Sequence, residues 1–205
     1  MDEILPGIVH WTAVHPNLGV PVHSAFHVAS RTLIDPMVPE DGVGWFEADP
    51  PERVLLTNRH HLRGAEAFAA AFGCSIHCHP KGLHQFDGGP EVLPMEPGAQ
   101  PAAGITVLEF GAITPEEVVL HIDAGSGTLA FADGLIRGRD GRLSFVPGSL
   151  LGDDPAQVRR ELRTALRRVL DEQEFDALLL AHGDPTPRGG RAELAAFLAG
   201  EGASA

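Results

Sequence analysis

Side chains able to bind metals or move protons gather at four points in the sequence, each where a run of apolar residues stops. Asp35 follows Thr32-Leu33-Ile34, and the cluster Thr57-Asn58-Arg59-His60-His61-Leu62-Arg63-Gly64 follows Val54-Leu55-Leu56. Asp133 follows the run from Thr128 to Phe131, and His182-Gly183-Asp184 follows Leu178-Leu179-Leu180. Imidazole and carboxylate are the donors that zinc and its neighbours in the transition series accept, and both also carry protons near neutral pH. A further group is His77, His79 and His84, with Cys78 between the first two. His77 and His79 alternate on a strand and so share a face, which would allow chelation with His84; two half-exposed strand histidines are the competing reading. The sequence contains no nucleophile elbow, phosphate-cradling loop or Cys-x-x-Cys pair.

The elements that must position these residues follow from periodicity and punctuation. Residues 22–28 alternate apolar and polar as a half-buried strand does, and short apolar runs at 32–34, 54–56, 75–79, 105–110, 118–122, 128–131 and 178–180 read as further strands. Ala65 to Phe72 reads as a helix closed by Gly73, and Asp154-Pro155 caps a helix reaching about Leu170. Leu194, Phe197 and Leu198 mark one side of a last helix, while the stretch 80–104, crowded with Gly and Pro, reads as a long loop. Strand groups separated by single helices suggest sheets covered by helices, with ligands bound where strands end.

A length of 205 residues suits one compact domain, and 43% hydrophobic against 21% charged residues is the balance of a folded protein. The net charge of -13 disfavours nucleic acid and anionic bilayers as partners, and Arg159, Arg160, Arg163, Arg167 and Arg168 fall at helical spacing as a solvated face. The start, MDEILPGIVHW, lacks the basic and apolar regions of a secretory leader, and Cys74 and Cys78 alone do not make a disulfide framework, so a reducing cytoplasm is expected.

The cluster at Thr57 resembles a motif of the metallo-beta-lactamase superfamily, in which a strand is followed by T-H-x-H-x-D-H-x-G and then a helix. Thr57 matches the threonine and His60 the second histidine, whereas Asn58, Leu62 and Arg63 stand where ligands would be. Leu33-Ile34-Asp35 is similar to the early strand whose aspartate braces the site, and Phe110-Gly111-Ala112 to the third motif, with alanine for histidine. Phe131-Ala132-Asp133-Gly134 resembles the strand end whose aspartate bridges two metals, and Leu180-Ala181-His182-Gly183 the final motif, whose histidine serves the second metal. The likeness runs from about Gly7 to Leu198.

The resemblance implies an α/β (α+β) protein, a four-layer αββα sandwich in a single domain over residues 1–205. It implies His60, Asp133 and His182 as ligands of one zinc or other transition-metal ion. Asp133 and Asp35 would be the catalytic carboxylates, and Asn58, His61 and Arg63 would line the site. Leucine cannot ligate and a guanidinium repels a cation, so a metal-free site is the alternative. The implied function is a glyoxalase-type metallo-hydrolase acting on a small ester, thioester or amide through a metal-bound water. The alternative is a noncatalytic member of the fold that binds a small ligand or a protein partner. Two finer expectations concern the turn: His61 exposed or capping, and Arg63 paired with Asp133 in place of a second metal.

Overall fold

The structure is a computed structural model that describes residues 1–200. Its first sheet runs in chain order through β1 (Asp2–Leu5), β2 (Ile8–Val14), β3 (Pro21–His27), β4 (Thr32–Ile34), β5 (Arg53–Leu55), β6 (Ser75–Cys78) and β7 (Val92–Pro94). The pairs from β1 to β4 are antiparallel and those from β4 to β7 parallel. A second sheet orders β8 (Ile105–Glu109), β9 (Val118–Ile122), β10 (Thr128–Phe131) and β13 (Ala177–Leu180), with β13 outside β10 and parallel to it. In the chain between those last two strands comes a small antiparallel ribbon of its own, β11 (Ile136–Arg137) with β12 (Leu143–Ser144).

Three apolar cores separate four layers, which is the αββα arrangement expected above. Alternation along each strand decides which core a side chain enters. Val118, Leu120 and Ile122 of β9, Ala130 of β10 and Leu179 of β13 meet Ala25, Ile34 and Leu55 of the first sheet in the central core. Their neighbours Val119, Leu129, Phe131, Leu178 and Leu180 face the other way, against Leu162, Leu166 and Val169 of α2 (Pro155–Glu172) and Leu194 and Leu198 of α3 (Gly190–Gly200). On the outer face of the first sheet, Phe26, Leu33, Val54 and Ile76 pack on Phe68 of α1 (Ala65–Phe72) and on Phe46. Asp154 accepts the Gln157 N–H and Pro155 opens α2; Arg159, Arg160, Arg167 and Arg168 are exposed on its outer side.

The sequence expectation missed β1, which opens on Asp2 and Glu3, and β2, which pairs antiparallel with both β1 and β3. The stretch 80–104 is also more ordered than a loop: a 3-10 turn spans Pro80–Phe86 and β7 adds an edge strand. No helix among the described residues is long and apolar enough to cross a membrane.

Backbone packs closely on backbone at Gly183, after His182. Its φ is +109°, and a Cβ there would lie 2.4 Å from the Arg137 Cβ and 2.8 Å from its carbonyl oxygen. The Arg137 N–H donates to the His182 carbonyl oxygen at 2.9 Å, so the two backbones cannot separate cheaply. Gly183→Ala is expected to cost about 3 kcal/mol or more in urea unfolding; an unchanged midpoint would show that the ribbon yields.

Candidate metal centre

Parallel pairing of β4 with β5, and of β10 with β13, puts the carboxyl ends of each pair side by side, and contacts of Asn58 and His61 with Asp133 join the two sheets there. Asp35 follows β4 at φ +45° and is buried. It accepts the Thr57 N–H at 2.8 Å and the Thr57 hydroxyl. After β5 the chain turns through a 3-10 helix, Arg59–His61, capped by Asn58, whose side chain accepts the His60 N–H at 2.9 Å.

A 3-10 helix has three residues per turn, so side chains at i and i+3 eclipse. Adjacent helical residues therefore point apart, and of the two histidines it is His61, together with the capping Asn58, that meets Asp133. The Asn58 Nδ2 donates to Asp133 Oδ2 at 3.1 Å, and His61 Nε2 lies 3.3 Å from Asp133 Oδ1. His182 Nε2 reaches the same oxygen at 3.0 Å. His61, Asp133 and His182 each offer a ligand atom within 4.8 Å of the other two, and they form the one such His/Cys/Asp/Glu group found among the described residues.

The structure thus alters the expected ligand set. His60 is exposed and outside the group; His61, expected to be exposed or capping, is 4% exposed and inside it. The turn's period of three is the cause, because the residue next to His61 must point elsewhere. The Arg63–Asp133 ion pair is not formed. Arg63 donates Nη1 to the carbonyl oxygens of His23 and Asp35, both at 3.0 Å, and Asp133 is engaged by the two imidazoles and Asn58. His77, His79 and His84 do not converge: His77 bonds the Ser75 hydroxyl, His79 accepts the Lys81 N–H, and His84 is exposed.

Two glutamates that sequence reasoning missed complete the surroundings. Glu117 Oε1 accepts the N–H of Asp133 at 2.9 Å and of Gly134 at 2.6 Å, fixing the turn after β10. Glu116 pairs with Arg59 and so ties the 3-10 turn to the start of β9. The available signal was two adjacent acids leading directly into the buried run of β9.

Charge follows from this geometry. Burial disfavours a charged His61 ring, but Asp35 on Nδ1 and Asp133 on Nε2 outweigh it and raise its pKa to about 9 in the metal-free chain. Burial also opposes ionisation of Asp133 and Asp35, yet contact with His61, joined by His182 at Asp133 and by Arg63 and Thr57 at Asp35, holds both well below the ordinary carboxylate range. Glu117 is pushed up to about 8 by burial and by the neighbouring Asp133 charge.

The donor set fits one transition-metal ion. Tetrahedral ligands about 2.0–2.1 Å from zinc lie about 3.3 Å apart, and the measured separations across Asp133 Oδ1 are 3.3 and 3.0 Å. Ionised Asp35 can only accept, so Nδ1 of His61 carries the hydrogen between them and Nε2 can present its lone pair. No second group of this kind is found among the described residues, and Leu62 and Ala112 cannot ligate.

No protein-family model matches the sequence, and no curated protein matches it. Solved structures do. The metallo-beta-lactamase family protein TTHA1429 from Thermus thermophilus is 15% identical and superposes with a TM-score of 0.67, over 98% of this chain and 81% of that one. A metallo-beta-lactamase from Cronobacter sakazakii, solved as a HARLDQ-motif mutant, gives 0.66 at 14% identity over 99% and 94%. TTHA1623, solved in a di-iron-bound form, gives 0.61 at 23% identity over 89% and 90%. The chain has the metallo-beta-lactamase fold.

Proposed function

We propose that this protein is a mononuclear metal-dependent hydrolase of a small ester, thioester or amide. The observation that carries the reading is the convergence of His61, Asp133 and His182 beyond the strand ends, within 4.8 Å of one another. Three protein donors leave a coordination position open, which is the pattern of catalytic rather than structural sites. The side chains of Asp133 and His182 are each 24% exposed, so the opening faces solvent.

His61, Asp133 and His182 would hold a divalent cation, which would supply Lewis acidity for polarising a carbonyl oxygen and for lowering the pKa of a water. The chain's own residues prepare that position. Asp35 holds the hydrogen of His61 on Nδ1, and the Asn58 amide engages Asp133 Oδ2, leaving Oδ1 to face both imidazoles. Glu117 restrains the backbone beneath Asp133. These contacts fix the ligands before a cation arrives, which limits the reorganisation that binding requires.

A noncatalytic binding protein is favoured instead by one observation: His61 lies 3.0 Å from Asp35 and 3.3 Å from Asp133, so a protonated ring would close the charge network without an ion. Metal analysis separates the two. Protein purified without chelator, or reconstituted, is expected to hold about one equivalent of transition metal, and His182→Ala less than about one-tenth. Less than about one-tenth in the unaltered protein after reconstitution would remove the hydrolase and leave the binding protein.

A further inference from the structure

We propose that the free edge of the Arg63 guanidinium is a carboxylate-binding site beside the His61, Asp133 and His182 centre, so that the substrate is a monoanion held by its carboxylate. Calling the bound group a substrate's rests on the hydrolase reading; the anion site itself stands on the geometry.

Arg63 is held rigidly. Its backbone lies at φ +43°, and its Nη1 is spent on the carbonyl oxygens of His23 and Asp35. The next residue cannot swing away, because the Gly64 N–H donates to the Pro36 carbonyl oxygen at 2.8 Å and a Cβ on Gly64 would lie 2.8 Å from the Val38 nitrogen. A guanidinium has five N–H donors in a planar fork. Those on Nε and Nη2 have no hydrogen-bond partner among the described residues, and neither atom is among the fully buried ones, so each keeps some solvent contact although the side chain is largely buried.

The two nearby carboxylates do not compete for that edge. Asp35 is occupied by Thr57 and His61, and Asp133 by His61, His182 and Asn58. With a divalent cation in place and both imidazoles neutral, the cation and Arg63 exceed Asp35 and Asp133 by one positive charge. A monoanion restores neutrality, and two parallel N–H donors match a carboxylate's two oxygens.

Isothermal titration of the full chain, metal-free and metal-loaded, with acetate, uncharged acetamide and inorganic phosphate tests the assignment. Acetate is expected to bind at least about tenfold more tightly than acetamide, the preference to vanish in Arg63→Met and to persist in part in Arg63→Lys. Acetate can also ligate a metal, so the metal-free arm must show the same dependence on Arg63. Equal binding of acetate and acetamide by the unaltered chain overturns the proposal, even if Arg63→Met fails to fold. So does a folded Arg63→Met protein that keeps the preference, and phosphate binding more tightly than acetate overturns the carboxylate assignment. Acetate preference without metal uptake leaves the anion site standing and removes the hydrolase; metal uptake without the preference does the reverse.

Discussion

His61→Ala is expected to abolish metal uptake and to lower stability sharply, while the same change at adjacent His60 leaves both nearly unchanged. His61 is buried between Asp35 and Asp133, touching one through each ring nitrogen. Truncation removes a metal donor and also strands two carboxylates, one of them fully buried, without their shared partner. Breaking a buried ion pair from one side costs about 3–5 kcal/mol, and losing one ligand of three should weaken metal binding more than about 100-fold, beyond the 10–100-fold typical of outer partners. His60 is exposed, and its N–H bond to Asn58 is a backbone contact that alanine keeps. Thermal unfolding and metal content of the two purified variants decide the matter. Metal lost from His60→Ala and kept by His61→Ala would return the ligand role to His60.

A strong pH dependence of metal binding is the second large effect. The His61 pKa of about 9 lies above its ordinary 6.5, so the folded metal-free chain holds that proton more tightly than the unfolded chain does. Its contribution is therefore complete below pH 6.5 and is lost as pH rises through about 9, a change of up to about 3 kcal/mol. Glu117, raised to about 8, acts in the same direction over the lower part of that window. Asp35 and Asp133, with depressed values, contribute stability that is lost only in acid. A cation must displace the proton from His61 Nε2, so its affinity is expected to rise about tenfold per pH unit, or about 100-fold between pH 6 and 8. Chelator competition across that range measures the slope. A flat profile would mean that no proton leaves His61, and hence that His61 is not a ligand.

Much of the framework was legible in the sequence because its causes are local. The apolar runs at Val118–Ile122, Thr128–Phe131 and Ala177–Leu180 are buried strands, and the Asp154-Pro155 cap opens α2. Burial periodicity and capping act over a few neighbouring residues, so no knowledge of distant contacts is needed. The same holds for Asp35, Asp133 and His182, each of which ends a buried strand.

Only the tertiary structure decided which side chains meet. His60 and His61 are chemically identical neighbours, and the choice between them is made by the three-residue period of a short turn packed against Asp133, which belongs to the other sheet. Arg63 is drawn to carbonyl oxygens of His23 and Asp35 rather than to Asp133, because those oxygens lie beside its backbone and Asp133 is already engaged. Glu117 supports Asp133 from 16 residues away. Such choices depend on how two sheets stack and which parallel strands pair, long-range matters of burial and register that short sequence patterns do not encode.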